Sequence, residues 1–509
     1  MPAILHIHGG GQTASLDWVK FWTKRGYVCA TFDFCGPWAD RTEVTEWGPI
    51  KHANMAQAAG GYQVDPTPRE SSWYHWTVAS RRALTLLATD PRVDAERIGI
   101  FGISMGGTLT WMVAGSDPRV KAAAPIYGCG YNFDRRKTRF GYGDVPPTQT
   151  IFQRTASSEA HAPYVTCPVL FLDSTNDFHG WMDDAYLTLG VLQSPHWQAF
   201  TPRYNHHIAP EQGANLPLFM DAQLKGGPAL PASPTLRVTL NAEGVPQGTV
   251  VQDAIAQKAT PIEKVDVYYS FGDKAPPTRY WRRAATTGEK GSWLGALPVV
   301  DPWETVVAFA NVSYTGGACL STNLVRVIPG QLGKARATLV AGEPLDPQLA
   351  AESWYYLTAY TDPNIAKRML LVEATPDHGP AVLLNPEVFG NVKRVNIGTH
   401  VLGDPQFAGQ EGAVLGLDWK GTIEPPGLSA SVKAKDFTPL AKSYSTTVTP
   451  EELSPEWGTI KLTLDRFKTP EGASPASWRE LDVLQIQGVS KDEGLRVGNL
   501  RWLPAEKKP

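Results

Sequence analysis

The sequence predicts an α/β domain with a mostly parallel, doubly wound sheet, followed by two all-β sandwich domains, the last of them jelly-roll-like. Short apolar runs alternate with helical patterns over residues 1–226, and this alternation is typical of βαβ units with right-handed crossovers. The helical period ends at a proline-rich stretch, residues 228–234. From there on, short strand patterns alternate with turn residues, as in antiparallel sandwiches.

The composition is that of a globular chain rich in turns. Its 509 residues are 42% hydrophobic, and at about 150 residues per domain the length suggests about three domains. A net charge of -3 gives no electrostatic case for a nucleic-acid binder, which usually has a basic face, so we expect no nucleic-acid partner. No run of about 18 apolar residues is present, so we expect no membrane span.

The 5 cysteines include no CxxC pair, which argues against a disulfide framework and against a metal site built on cysteine. We interpret them as buried free thiols, with a Cys29–Cys35 bridge as the alternative.

Six apolar runs predict the strands of the parallel sheet. Two helices are indicated by apolar residues at i, i+3 and i+4 spacing, one over residues 15–25 and one from Trp76 to Leu87. The predicted strands are residues 4–8, 28–34, 98–101, 122–127, 169–172 and 198–201.

The domain boundaries are predicted from the change of pattern. Residues 1–227 form the α/β domain, residues 228–333 a small immunoglobulin- or fibronectin-like sandwich, and residues 334–509 a jelly-roll-like sandwich. Strand patterns at 236–240, 265–270 and 306–312 support the first sandwich. The strict alternation of Ile460, Leu462 and Leu464 supports the second.

The strongest chemical signal is the segment Gly102-Ile103-Ser104-Met105-Gly106-Gly107, which follows a predicted strand and precedes an apolar helix. A G-x-S-x-G at such a junction is typical of a nucleophile elbow, in which only small neighbours fit around the strained serine. A chance Gly/Ser turn is the alternative, and the flanking strand and helix argue against it. We predict that Ser104 is a nucleophile at a helix N-terminus, where developing negative charge is favoured.

A second glycine-rich segment, His8-Gly9-Gly10-Gly11-Gln12, directly follows the first strand. Backbone N–H groups of such a turn can approach the oxyanion of an acyl-transfer intermediate. We assign the N–H of Gly10 or Gly11, together with that of Met105, to an oxyanion hole. A flexible turn is the alternative, and a phosphate cradle is disfavoured because no Lys-Ser/Thr follows the glycines.

The acid is expected after the serine and before the histidine. Asp177 lies on the loop beyond the strand 169–172, where a carboxylate can orient a histidine. Asp173 lies too close to the strand end. Asp183 and Asp184 fall in the next helix, where we expect solvated or capping roles. Asp177 is therefore the predicted acid.

The base is expected on the loop after the last core strand, which carries the adjacent residues His206 and His207. We favour His206 because it comes first after the strand, within the short loop. His207 stays the alternative and would then point toward the following helix.

Together, His8-Gly9-Gly10, the segment around Ser104, Asp177 and His206 resemble the α/β-hydrolase superfamily. Within it, they resemble the acetyl xylan esterase and dienelactone-hydrolase-like serine esterases. The resemblance covers about two fifths of the chain. It implies an α/β-hydrolase fold for residues 1–227 and a serine esterase that removes acetyl or another small acyl group from a carbohydrate. It implies no cofactor and no metal.

The same resemblance carries an expectation about the N-terminus. The family normally has one or two strands before the strand that ends at His8, whereas Met1 here leads directly into that strand. We therefore expect a trimmed chain in which strand 28–34 becomes a sheet edge. Localisation is not predicted from this end; a secreted or periplasmic protein whose signal region lies outside the chain fits the pattern.

Two aromatic loops, residues 36–72 and 129–166, are the predicted walls of a substrate pocket. Trp38, Trp47 and Tyr131 are the candidate pocket residues, because aromatic rings suit stacking on sugars or phenolic acids. Ordinary loop packing is the alternative for each of them. The expected partner is a small ester or an acylated polysaccharide, and no oligomeric state is predicted.

The sequence leaves three other functions open. A serine peptidase can use the same triad, although its accessory β domain usually precedes the hydrolase domain. A feruloyl or polyester esterase fits the aromatic loops equally well. A non-enzymatic glycan-binding relic fits least, and the jelly-roll-like domain resembles carbohydrate-binding modules by architecture alone.

Overall fold

The structure is a computed structural model. It describes residues 1–36, 45–50, 67–129, 147–252, 258–289, 291–356, 371–375, 378–384, 387–389, 392–438, 440–492 and 494–504.

The N-terminal region is built on a six-stranded sheet, in which all recorded strand pairs are parallel. Its strand order is β2-β1-β3-β4-β5-β6. The strands are β1 Ala3–Ile7, β2 Val28–Phe32, β3 Ile98–Ile103, β4 Ala122–Ile126, β5 Val169–Ser174 and β6 His196–Thr201. All six predicted strands are present, and β2 is an edge strand, as expected from the sequence.

Helices cover this sheet, and two of them begin at a serine whose side chain caps the first turn. Ser15 accepts a hydrogen bond from the Trp18 N–H at the first helix, and Ser71 caps the second through the Trp73 N–H. The helices are α1 Leu16–Thr23, α2 Ser72–Thr89, α3 Met105–Ala114, α4 Pro147–Thr155, α5 Ser158–His161, α6 Met182–Gly190, α7 Pro210–Gly213 and α8 Asn215–Lys225.

The middle region is a sandwich of two antiparallel sheets. One sheet has the order β10-β9-β13-β14, with β15 paired to β13, and the other has the order β11-β12-β8-β7. This is the strand order of an immunoglobulin-type sandwich with one extra strand, β10, beside β9 in the first sheet. The strands are β7 Leu236–Leu240, β8 Pro246–Val251, β9 Ile262–Phe271, β10 Arg282–Arg283, β11 Thr286–Glu289, β12 Ser292–Ala296, β13 Val306–Tyr314, β14 Cys319–Ser321 and β15 Val325–Val327.

The C-terminal region opens with one short helix and then forms two further antiparallel sheets. Their orders are β16-β20-β25-β22-β23, with β19 paired to β20, and β17-β18-β26-β21-β24. The elements are α9 Pro347–Glu352, β16 Trp354–Tyr356, β17 Leu371–Thr375, β18 Gly379–Leu384, β19 Glu387–Phe389, β20 Val392–Thr399, β21 Val414–Lys420, β22 Leu428–Ala434, β23 Lys442–Val448, β24 Gly458–Leu462, β25 Leu481–Val489 and β26 Leu495–Leu503.

Eight of these strands follow a jelly-roll order. They are β18 and β20 to β26, numbered one to eight in chain order. The first, eighth, third and sixth strands (β18, β26, β21 and β24) form one sheet. The second, seventh, fourth and fifth form the other, so every connection but one crosses between sheets. The predicted jelly-roll-like sandwich is therefore confirmed, although Leu464 lies in a 3-10 turn beyond the end of β24.

The middle sandwich covers the second edge of the parallel sheet. Phe200 in β6 donates its N–H to Ser321 Oγ at 2.8 Å, and its carbonyl accepts from Asn311 Nδ2 at 3.0 Å. Phe200 also shares one apolar core with Trp281 and Phe309 of the sandwich. The sequence-predicted boundaries near residues 227 and 333 stay predictions.

Two smaller expectations concern the cysteines and the membrane. All five cysteines are free thiols, four of them buried and Cys29 half-buried, so the Cys29–Cys35 bridge is not formed. Within the described residues, no helix combines the length and apolar character needed to cross a bilayer.

Candidate active site

Ser104 lies on a strained turn between β3 and α3. Its backbone has φ 57° and ψ -114°, a region that residues other than glycine rarely adopt. The Ser104 N–H donates to the Ile126 carbonyl at 2.9 Å, which anchors the turn to the end of β4. The side chain is half-buried and does not cap the helix, so the hydroxyl is not committed to the helix N-terminus.

The glycines around Ser104 are required by close backbone approach. A Cβ on Gly102 would lie 2.2 Å from the Gly106 carbonyl oxygen, and one on Gly106 would lie 2.0 Å from that of Ile7. A Cβ on Gly107 would lie 2.3 Å from the Ile126 carbonyl oxygen. These distances are too short for any side chain, so α3 packs directly on the ends of β1 and β4.

The two segments that carry the predicted oxyanion groups are in contact. A Cβ on Gly10 would lie 2.5 Å from Met105 Sδ, so the glycine turn after β1 contacts the first residue of α3. The Met105 N–H occupies a helix position that has no intrahelical acceptor. Gly11 adopts φ 68°, which favours glycine, and the Gly9 N–H is already bound to Gln12 Oε1 at 2.9 Å.

The His8 side chain links this glycine turn to the end of β2. Its Nδ1 donates to the Gly9 carbonyl at 2.7 Å, and its Nε2 accepts from the Phe34 N–H at 3.3 Å. The ring is fully buried and stacks on Phe34. Asp33 lies 3.3 Å from Nε2. Burial tends to raise the pKa of this carboxyl, but the nearby His8 ring and the hydrogen bonds from the Thr45 and Gly36 N–H groups hold that pKa below its usual value.

Asp177 and His206 form a buried pair. His206 Nδ1 donates to Asp177 Oδ2 at 2.5 Å, and the side chains are 2% and 0% exposed. The other carboxylate oxygen accepts from the N–H groups of His179 at 2.5 Å and Gly180 at 3.1 Å. Three donors therefore fix the carboxylate, and the pair fixes the tautomer that leaves His206 Nε2 as an acceptor.

His207 takes a different position. Its N–H donates to the Asn205 carbonyl at 2.7 Å, and its carbonyl accepts from Ser174 Oγ at 2.5 Å. Its ring lies 6.4 Å from that of Tyr204. Of the two adjacent histidines, His206 is the one hydrogen-bonded to Asp177 in this structure.

Tyr127 and Gly128, which directly follow β4, connect the serine to the histidine. The Tyr127 ring stacks on His206 at 3.9 Å, and Tyr127 adopts φ 58°. A Cβ on the neighbouring Gly128 would lie 2.8 Å from the Ser104 carbonyl oxygen. His206 Nε2 is buried and has no hydrogen-bond partner within the described residues, so the serine–histidine hydrogen bond is not formed here. Such bonds are often long in ligand-free enzymes.

Two neighbouring acidic side chains, Asp173 and Asp177, have pKa values shifted in opposite directions. Burial raises the pKa of Asp173 well above its usual range, and the Asp177 carboxylate raises it further. Burial acts on Asp177 in the same direction, but the charge and hydrogen bond of His206 outweigh it and lower the pKa of Asp177 to about 2. Burial and the Asp177 carboxylate therefore favour the neutral form of Asp173, whereas His206 favours the ionised form of Asp177.

The remaining predictions of the sequence concern the three candidate pocket residues. Trp38 and Tyr131 lie outside the described residues, so their place in a pocket stays a prediction. Trp47 is half-buried, and its Nε1 donates to the Phe34 carbonyl at 3.1 Å, so its place in a pocket also stays a prediction.

The solvated role expected for Asp183 and Asp184 is wrong, and the alternative, a capping role, stays a prediction. Asp183 pairs with Arg279 at 2.5 Å and with Arg326 at 2.7 Å, because the middle sandwich packs on α6, and Asp184 is buried.

Sequence reasoning missed the residues that surround His206. Phe178, whose ring lies 5.2 Å from that of His206, is 42% exposed, and the His179 ring lies 5.7 Å away. Both directly follow Asp177, and an aromatic pair after the predicted acid is the signal that could have identified them. Tyr127 had a comparable signal as the aromatic residue at the end of β4, before a glycine.

Comparisons with known proteins include a family match and a curated relative. Residues 70–202 match the model of the dienelactone hydrolase family. Acetyl esterase Axe7A of Xylanibacter ruminicola is 23% identical over 242 residues, which are 44% of this chain and 53% of that protein. The chain thus spans about half the length of this curated relative.

Solved structures that resemble the chain include two acetyl xylan esterases. Acetyl xylan esterase 1 from Thermoanaerobacterium sp. JW/SL YS485 has 17% identity and a TM-score of 0.35, covering 43% of this chain and 74% of that one. The enzyme from Paenibacillus sp. R4 has 20% identity and a TM-score of 0.34, covering 44% and 75%.

The parallel sheet and the family match over residues 70–202 indicate an α/β-hydrolase-like fold for the N-terminal region. The resemblance to dienelactone-hydrolase-like and acetyl xylan esterases is confirmed by the family match and by the Axe7A relative.

Proposed function

We propose that this chain is a serine carboxylic ester hydrolase that acts through Ser104, His206 and Asp177. The observation that carries the proposal is the 2.5 Å hydrogen bond from His206 to Asp177, beside a serine on a strained strand-to-helix turn. The family match over residues 70–202 and the acetyl esterase relative support the same class.

The first half-reaction transfers the acyl group to the enzyme. Ser104 Oγ bonds to the ester carbonyl carbon while its proton passes to His206 Nε2. The negative charge that forms on the carbonyl oxygen is stabilised by the N–H groups of Met105 and of Gly10 or Gly11. The carbon–oxygen bond to the alcohol then breaks, and the proton on Nε2 passes to the departing oxygen.

The second half-reaction releases the acid. Water attacks the acyl-serine, His206 Nε2 takes the proton of the water, and the same proton returns to Ser104 Oγ as the carboxylic acid leaves. Asp177 remains ionised throughout, which agrees with its lowered pKa. Its carboxylate keeps Nδ1 protonated and stabilises the imidazolium that forms in each half-reaction.

We further propose acetyl or another small acyl group on a carbohydrate as the substrate. The support is the name of the relative, an acetyl esterase, and the position of Phe178. Its ring is 42% exposed beside His206, the residue that protonates the leaving alcohol, so a sugar ring bound there would meet an apolar face.

The test of the chemistry is the turnover of p-nitrophenyl acetate by Ser104→Ala. We expect turnover to fall to background and covalent labelling by a fluorophosphonate to disappear, with Tm nearly unchanged. Ser116→Ala is the matched control, because Ser116 follows α3 and bonds only to carbonyls of that helix. Wild-type turnover in Ser104→Ala would contradict the proposal.

The test of the substrate is a comparison of acetylated xylan, p-nitrophenyl octanoate and a peptide p-nitroanilide with the wild-type chain. We expect release of acetate from the polysaccharide, and slow or no turnover of the other two. A preference for the octanoate would remove the small-acyl proposal, and a preference for the anilide would favour a peptidase.

A further inference from the structure

The loop that carries Asp177 is attached to the middle sandwich by the preceding residue. Asn176 is 1% exposed, and its Nδ2 donates to the carbonyls of Pro277 at 3.1 Å and Arg279 at 2.7 Å. Its Oδ1 accepts from Thr175 Oγ1 at 2.7 Å, which fixes the orientation of the amide. The residue next to the predicted acid is therefore bound to a part of the chain about 100 residues away.

The loop that carries His206 is attached to both β regions. Arg203 adopts φ 66°, and its Nε donates to the Trp281 carbonyl of the middle sandwich at 2.7 Å. Its Nη1 donates to the Glu352 carbonyl at the end of α9 at 3.2 Å and lies 3.6 Å from the Glu352 carboxylate. The Arg203 N–H donates to Thr175 Oγ1 at 2.8 Å, so the two loops share one hydrogen-bond chain.

The segment that receives these bonds is itself fixed by buried ion pairs. Arg279 is 1% exposed and forms a bidentate pair with Asp183 of α6. Arg282 forms a bidentate pair with Asp404 of the C-terminal region at 2.7 and 2.5 Å, with side chains 8% and 2% exposed. Residues 276–283 of the middle sandwich are therefore bound by ion pairs to both the N-terminal and the C-terminal region.

We propose that Asn176 and Arg203 are positioning residues, through which the two β regions hold Asp177 and His206 in reactive alignment. The proposal rests on the proposed function, in which this pair is the acid and the base. It makes the β regions part of the catalytic apparatus. Alignment matters because a displacement of about 1 Å at a reacting group can cost about 10²-fold in rate.

The test uses the full chain with Arg203→Ala, Arg203→Lys and Asn176→Ala. The control is Arg326→Ala, because Arg326 also bonds from the middle sandwich to α6 but touches neither loop. The readouts are kcat and KM for p-nitrophenyl acetate, the rate of fluorophosphonate labelling, and Tm.

We expect Arg203→Ala and Asn176→Ala to lower kcat and the labelling rate by about ten- to a hundredfold, with KM within about threefold of wild type. Arg203→Lys should restore part of kcat, because an ammonium can keep one of the two contacts. Arg326→Ala should lower Tm comparably and leave kcat within about twofold. Asn176→Ala carries the same test if Arg203→Ala does not fold.

Three contrary results are distinguishable. Wild-type kcat in folded Arg203→Ala and Asn176→Ala, with only Tm reduced, would overturn the positioning role and leave the hydrolase proposal intact. An equal loss of kcat in Arg326→Ala would also overturn it, because general loosening would then explain the effect. A wild-type chain that neither hydrolyses the ester nor reacts with the fluorophosphonate would overturn the proposed function, and the positioning role with it.

Discussion

The two sides of the site are held by different interactions. On the serine side, Gly102, Gly106 and Gly107 let α3 approach the ends of β1 and β4 to distances that exclude any side chain. On the acid–base side, Asn176 and Arg203 each donate two side-chain hydrogen bonds to carbonyls of the β regions. The first side is fixed by close packing within the α/β hydrolase region, and the second by contacts between regions.

This difference predicts two kinds of sensitivity. Close packing of backbone on backbone has no freedom to adjust, so an added methyl group on the serine side disrupts the fold itself. Hydrogen bonds between regions can be lost one at a time, so a change on the acid–base side lowers the rate while the chain stays folded. The variants below separate the two kinds of damage.

The largest effect on folding is expected for Gly106→Ala. Its Cβ would lie 2.0 Å from the Ile7 carbonyl oxygen and 2.6 Å from that of His8, both backbone atoms that cannot move aside. We expect loss of soluble folded protein or a fall in the free energy of unfolding of about 3 kcal/mol or more, measured by thermal unfolding and by yield.

Gly190→Ala is the matched control. It lies at the end of α6, and an added Cβ would meet nothing within 4 Å. We expect it to be neutral or to stabilise by up to about 1 kcal/mol, because alanine is the better helix former. Equal Tm values for Gly106→Ala and wild type would contradict the close packing of the serine side.

A smaller effect, dependent on pH, is expected for Asp173→Asn on the acid–base side. The pKa of Asp173 is raised in the folded chain, so above about pH 4 the unfolded state loses a proton that the folded state keeps. The wild type therefore loses about 1.4 kcal/mol of stability for each pH unit, for as long as the folded acid stays protonated. An amide has the same shape and carries no such cost.

We expect Asp173→Asn to be more stable than the wild type at pH 8 and to lose most of that advantage at pH 5, measured as Tm at both pH values. Asp183→Asn is a useful contrast, because arginines outweigh burial there and lower the pKa of the folded carboxyl. An advantage of Asp173→Asn that is equal at both pH values would show that this acid is ionised in the folded chain.

The difference between the two sides also explains why the sequence predicts the serine side better than the acid–base side. The glycines of the serine side are local, so a run of six residues after an apolar strand was enough to predict Ser104 and its turn. The strand patterns are likewise local. Each of the six strands predicted for the parallel sheet overlaps an observed strand, and its ends differ from the observed ends by at most two residues.

The acid–base side was harder to predict because its support is distant in sequence. Arg203 and Trp281 are 78 residues apart and Arg203 and Glu352 are 149 apart, and no local pattern links them. For the same reason, Asp183 was expected to be solvated or capping, whereas two arginines of the middle sandwich bind it. Adjacent His206 and His207 could be ordered only by a weak argument from loop length.

The central claim is tested most directly by the kcat/KM for p-nitrophenyl acetate of His206→Ala beside that of His207→Ala. The account predicts a loss of at least about 10²–10⁴-fold for His206→Ala, because an unassisted serine is a weak nucleophile at neutral pH. His207→Ala should lose less than about tenfold, since its contacts to Ser174 run through its backbone. An inactive His207→Ala beside an active His206→Ala would contradict the assignment of the Asp177–His206 pair.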